Sequence, residues 1–111
     1  MEPMFRCTQC GYVHEGQDAP DVCPKCGAPK EMFKRLDDEA AEKIYASDIT
    51  NDIHMEIITH AAAIMDLCDE GIELALDPPC VGVFEKTMNA AWIMKKRSKA
   101  EIAGHVGKGK W

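Results

Sequence analysis

From about residue 51 onward, apolar residues recur at helical spacing. On a 3.6-residue wheel Ile53, Ile57, Ile58, Ala61, Ile64, Met65, Cys68, Ile72, Ala75 and Leu76 share one broad side. Met55, Thr59, Asp66, Glu70 and Glu73 lie opposite, so the pattern predicts a long amphipathic helix over about 51–76. Ahead of it, Asp37-Asp38-Glu39 supplies the acidic first turn of a short helix ending near Ala46, and Ser47 to Asp52 form a cluster of caps and breakers. Behind it, Asp77 is placed to cap a second long helix that begins with Pro78 and presents Val81, Phe84, Met88, Ala91, Trp92 and Ile102 on one face. Gly104, Gly107 and Gly109 then predict a frayed basic tail ending at Trp111. Before Leu36 there is no helical period. Gly11 to Val22 is rich in Gly, Pro and Asp, which predicts a hairpin and a turn.

This pattern divides the chain into a small module, 1–36, and a helical region, 37–111. The two long helices are expected to lie antiparallel. Two long helices and a short one do not cover an apolar face as broad as that from Ile53 to Leu76, so a second copy is the expected cover. The fold class expected is therefore a small knuckle module plus an all-α hairpin, completed to a four-helix arrangement by a homodimer.

Charge sharpens the picture of the helices. The net charge is −6, yet residues 1–35 balance, 36–77 carry twelve acids against one Lys, and 78–111 carry seven bases against two acids. Acidic and basic helices lying side by side neutralise each other, so no nucleic-acid partner is expected from the short run Lys95-Lys96-Arg97 with Lys99. No apolar run is long enough to cross a bilayer, and Met1 to Cys10 has no apolar core of the kind a signal peptide needs. A cytoplasmic protein without a membrane partner is the expectation, and there six cysteines read as metal ligands and buried thiols rather than as a disulfide framework.

The candidate chemistry lies in the first module. Cys7-Thr8-Gln9-Cys10-Gly11 and Cys23-Pro24-Lys25-Cys26-Gly27 are two copies of one turn. Each places two thiolates on one side of a tight loop, and the glycine after the second cysteine can take a positive φ that turns backbone N–H groups toward the sulfurs. Two such knuckles facing each other make a closed tetrathiolate metal site of Cys7, Cys10, Cys23 and Cys26. Spacing alone suits zinc as well as iron. Phe5, Tyr12, Val13 and Phe33 are expected to pack around the site, with His14 and Glu15 on an exposed turn.

The stretch from Phe5 to Gly16, with Ala19-Pro20, Cys23 to Lys30 and Phe33, resembles the rubredoxin-like domain of the rubrerythrin family, including its shortened loop between knuckles. The resemblance implies one iron ion per chain, Fe2+/Fe3+, held by the four matching cysteines and passing single electrons to redox partner proteins. A zinc-ribbon interaction module is the alternative from another class, and a rubrerythrin-like peroxide or oxygen reductase is a third. In that family the module follows a four-helix bundle whose di-iron centre uses Glu-x-x-His. Here the order is reversed and no Glu-x-x-His occurs. Glu56 and His60, and Glu101 and His105, are spaced one residue wider. The expectation is therefore a carrier rather than a catalyst. His54, His60, Cys68 and Cys80 are read as structural residues, with a second cofactor at His54, His60, Cys68 or Cys80 left open. Cys68 and Cys80 sit at heights too different for a disulfide.

Overall fold

The computed structural model describes all residues from Met1 to Trp111. Its elements in chain order are β1 (Met4–Cys7), β2 (Val13–Glu15), a 3-10 turn at Lys30–Met32, β3 (Phe33–Arg35), α1 (Asp38–Leu74) and α2 (Pro78–Gly107). Contacts group the chain into two compact units, Met1–Tyr45 and Ala46–Trp111.

In the first unit a three-stranded antiparallel sheet runs in the order β2-β1-β3. Phe5 on the central strand sits opposite His14 on one side and Arg35 on the other, and Cys7 sits opposite Phe33. Strands this short bury only one face, so the sheet needs a cover. The first two turns of α1 provide it. Met4, 1 % exposed, packs with Ala41 and Ile44, and Val13, Leu36 and Tyr45 close the cluster. Val13 thus belongs to this core rather than to the cysteine site expected from its sequence neighbours. Helix α1 starts where its acidic first turn predicted, and the Asp37 carboxylate accepts the Ala40 N–H at 2.8 Å. The Tyr45 hydroxyl donates to Glu15 at 3.1 Å, which gives that carboxylate a partner the sequence did not suggest.

The second unit is an antiparallel helical hairpin. Its turn follows the expected chemistry: the Asp77 side chain accepts the Cys80 N–H at 2.8 Å, and Pro78 stands at the first helical position, where its missing donor costs nothing. Ala75 takes φ 46°, the left-handed conformation usually given to glycine at the end of a helix.

Three expectations for the helices are corrected. First, α1 is one helix of 37 residues with no break at Ser47–Asp52. Ser47 and Asn51 are buried and donate from their side chains to the Lys110 carbonyl, each at 2.8 Å, so they act as tertiary partners and not as caps. Second, the C-terminal segment is not frayed. Gly104 lies inside α2, and Lys110 N–H bonds back to the His105 carbonyl at 2.8 Å. Third, the inner seam takes only part of the broad apolar side read from the wheel: Ile58, Ala61, Met65, Cys68 and Ile72 face it, and Ile53 and Ile57 do not. The buried residues of this unit are Ser47, Asn51, Ala61, Cys68, Gly71, Ala91, Ser98 and His105, all small or polar. Ile53, Ile57 and Trp92 are exposed. The half-buried positions His54, Ile58, Met65 and Ile72 on α1, and Phe84, Met88, Lys95 and Ile102 on α2, fill the alternating three-and-four spacing between them.

Candidate metal centre

Cys7 ends β1, and Cys10 follows in the turn that leads back into β2. Cys23 and Cys26 occupy the matching turn, whose base is an isolated bridge between Val22 and Pro29. The two knuckles are built alike. Cys7 N–H donates to the Tyr12 carbonyl at 2.8 Å, and Cys23 N–H to the Ala28 carbonyl at 2.9 Å. Gly11 N–H donates to Cys7 O, and Gly27 N–H to Cys23 O, both at 2.9 Å. Gly11 and Gly27 have φ 86° and 76°, the conformation expected of the residue after each second cysteine. The first knuckle is also tied to the 3-10 turn, because the Thr8 N–H and hydroxyl both donate to the Met32 carbonyl, at 2.9 and 2.7 Å.

These turns bring the four sulfurs together, all within 4.8 Å of one another. Cys7 faces Cys26 and Cys10 faces Cys23, each pair at 3.6 Å. That is far outside bonding distance for a disulfide, and all six cysteines are free. A tetrahedron with metal–thiolate bonds of about 2.3 Å has sulfur–sulfur edges of about 3.8 Å, so the cluster has the size a metal ion requires. Ala28 is buried with Cys7 and Cys23, and Tyr12, Met32 and Phe33 pack against them. Cys7 and Cys23 are enclosed, whereas Cys10 and Cys26 are half-exposed. The site therefore has a dry side and an edge near water.

The electrostatics of the four thiols is unequal. Burial opposes ionisation of Cys23, but the backbone N–H groups of Cys26 and Lys25 and the thiols of Cys10 and Cys26 outweigh it, and its pKa falls from 9.0 to about 6. Cys26 goes the other way. The Ala28 N–H favours its thiolate, yet burial and the neighbouring thiols of Cys10, Cys23 and Cys7 push its pKa up to about 12. Four thiols this close cannot all ionise in the absence of a cation, and a divalent or trivalent ion removes that conflict. Nearby, Lys30 donates to Asp18 at 2.6 Å across the loop between the knuckles. The contact lowers the Asp18 pKa and raises that of Lys30.

Residues outside the cluster that carry possible chemistry are placed as follows. Glu56 and His60 form an exposed pair at 3.5 Å on α1, and Glu101 and His105 a pair at 3.3 Å on α2. Cys68 is buried in the hairpin seam, and Cys80 is half-exposed in the first turn of α2. His54 meets the Ser98 hydroxyl at 3.1 Å. His105 donates from Nδ1 to the Asn51 side-chain oxygen, a direction fixed because the Asn51 amide nitrogen is already committed to the Lys110 carbonyl. This polar network has no local sequence signature, since its members are 54 and 59 residues apart.

Comparison with known proteins matches residues 5–34 to the family model for the rubredoxin-like domain of rubrerythrin. Over 35 residues the chain is 51 % identical to reverse rubrerythrin-1 of Clostridium acetobutylicum, covering 32 % of this chain and 19 % of that protein. It is 56 % identical over 32 residues to rubrerythrin of Nitratidesulfovibrio vulgaris, covering 29 % and 17 %. A rubredoxin of Peptoniphilus asaccharolyticus is 40 % identical over 50 residues, which span 31 % of this chain and 94 % of that protein. The chain thus spans under a fifth of the length of the two rubrerythrins and nearly all of the rubredoxin.

Proposed function

We propose that the chain is a one-electron carrier with iron held by Cys7, Cys10, Cys23 and Cys26, on the premise that residues 5–34 match the family model for the rubredoxin-like domain of rubrerythrin. The observation that carries the reading is the set of four sulfurs within 4.8 Å of one another, close enough to share one metal ion, inside a module that resembles that family's. Bound there, iron supplies a ferric/ferrous couple.

The residues around the site do the rest. The two knuckles are stitched by backbone hydrogen bonds and two positive-φ glycines, so the sulfurs keep their positions in both oxidation states. Backbone N–H groups of Lys25 and Cys26 aimed at Cys23, and of Ala28 at Cys26, spread the negative charge of the thiolates and stabilise the reduced, more anionic state. The half-exposed Cys10 and Cys26 give electrons a short path to a docked protein, while Tyr12, Met32 and Phe33 keep water from the other side.

Four protein sulfurs leave no open coordination position, so the chain passes electrons to a redox partner and does not itself turn over peroxide or oxygen. Four cysteines committed to a metal and two that form no disulfide suit a reducing compartment such as the cytoplasm. The same donor set suits zinc, and the test must separate the two. Visible absorption with a metal count on protein from iron-replete cells does so. A red protein with one iron per chain that bleaches on reduction is expected, and a colourless protein with stoichiometric zinc would overturn the reading. Peroxide should reoxidise the reduced chain far more slowly than a one-electron acceptor does.

A further inference from the structure

Ala46 to Trp111 form a hairpin in which no large apolar side chain is buried. The fully buried positions of its seam are small or polar, with Ile58, Met65, Ile72, Phe84, Met88 and Ile102 half-buried between them, and other large aliphatic side chains stand at its edge or outside. Those side chains are not scattered. Ile53, Ile57, Ile64, Leu67 and Leu74 recur on α1 at one side of the seam. Ile57 also lines a shallow groove with Met94 on α2, so Met94 shares that side. Leu67 is 64 % exposed and Leu74 is 76 % exposed. On the other side of the seam the same helices carry Asp52, Asp66, Asp69 and Glu73, and Lys96 and Lys99. The first face is the richer in large aliphatic side chains, with Arg97 and Glu101 at the same groove, and the second is the richer in charge, with Met55 and Trp92 among its residues.

A hairpin whose own interior supplies so little apolar burial needs a cover on the first face. We propose that a second copy of this chain is the cover, with the two-fold axis parallel to the helices, so that α1 of each copy lies against α2 of the other. Charge selects both the occupant and the axis. From residue 46 to its end α1 holds seven acids and no Lys or Arg, whereas α2 holds five bases and two acids. An axis perpendicular to the helices would set acidic α1 against a second acidic α1. The parallel axis gives every acidic helix a basic neighbour on each side and keeps all neighbours antiparallel. The area is sufficient. Residues 53 to 74 span about 32 Å at a rise of ~1.5 Å, and two helices ~9–10 Å apart give a footprint of roughly 600 Å² per copy. Counted on both copies, that is about the lower end of the range for stable interfaces, ~1,200–2,000 Å².

The test uses the whole metal-loaded chain. Light scattering at micromolar concentration should give twice the chain mass of 12.3 kDa, and the melting temperature of the helical signal should rise with protein concentration. Leu67→Lys should weaken association at least tenfold, while Met55→Lys, on the charged face, should leave it unchanged. In a Cys80→Ser background the pair Leu67→Cys with Ala90→Cys tests the axis. The contacts of His54 with Ser98, Asn51 with His105 and Gly71 with Phe84 put these two positions within about one helical turn of each other in height, on the outer edges of the face, and an axis parallel to the helices keeps that height when it brings them together. Oxidation should link two copies in the double variant and not in either single variant. A single-chain mass with a concentration-independent melt would overturn the proposal, as would equal weakening by both lysine variants. Linking by Leu67→Cys alone would overturn the axis.

Discussion

Gly71 is a helical residue whose lack of a side chain is required by its neighbour. A Cβ built at Gly71 would lie 2.4, 2.6 and 2.6 Å from three carbons of the Phe84 ring, distances that real Cβ atoms do not show. Two effects of Gly71→Ala therefore oppose each other. Alanine in a helix interior is favoured over glycine by about 1 kcal/mol. Forcing a methyl into an occupied space costs about 1–3 kcal/mol, because the ring must leave its rotamer or the helices must separate. The overlap involves three ring atoms, so the upper half of that range applies, about 2–3 kcal/mol, and the net loss is about 1–2 kcal/mol. Each kcal/mol corresponds to a fall of ~4–8 °C in the melt of a unit this size. The assay is urea unfolding followed by far-UV circular dichroism, with Gly82→Ala as the control, since a Cβ at Gly82 meets nothing within 4 Å. Gly82→Ala should stabilise the hairpin by about 1 kcal/mol through propensity alone. With Phe84→Ala in place, Gly71→Ala should change sign and stabilise by a similar amount, a coupling a double-mutant cycle reads directly. Stabilisation by Gly71→Ala in the parent chain would refute the packing of α1 on α2 at this point.

Three further outcomes follow from the same structure. Ala75→Gly should stabilise the hairpin by about 0.5–1 kcal/mol in the same unfolding assay, because the left-handed φ of Ala75 costs an alanine more than the extra chain entropy costs a glycine. Asn51→Ala should cost about 1–3 kcal/mol, since it strips the buried His105 Nδ1–H of its acceptor and the Lys110 carbonyl of a donor. At pH 7 metal binding should release the proton Cys26 still holds, so affinity should already fall as pH drops there, and it should fall more steeply below about 6, where Cys23 also takes up a proton. A chelator competition run across pH, with a pH indicator present, checks both signs.

The knuckles were legible in the sequence because their geometry is local. Each cysteine pair, the glycine after it and the hydrogen bonds that close the turn lie within a few residues, so spacing alone fixes the shape. The Asp77-Pro78 start of α2 was legible for the same reason. The false break at Ser47–Asp52 arose because Ser and Asn favour caps when they have no better partner. Here both reach the Lys110 carbonyl, some 60 residues away, and that long-range contact overrides their local preference. The wheel placed Ile58, Ala61, Met65, Cys68 and Ile72 correctly and made the seam too wide, for a related reason. An amphipathic wheel assigns the largest aliphatic side chains to the nearest interior, yet α1 and α2 approach through Gly71, Ala61 and Ala91 and a polar network, leaving Ile53 and Ile57 outside. Tyr45 joining Glu15, and the first turns of α1 roofing the sheet, likewise depend on contacts that no window of sequence contains.

The central claim is that the four cysteines hold iron for one-electron transfer, and redox titration of the purified chain under anaerobic conditions, followed in the visible and paired with a metal count, tests it most directly. One iron per chain is expected, with a charge-transfer absorption that disappears on reduction with a one-electron Nernst slope and recovers fully on reoxidation. The same behaviour should persist in Cys68→Ala and be lost in Cys23→Ala. Stoichiometric zinc with no visible band, or a band unaffected by loss of Cys23, would contradict it.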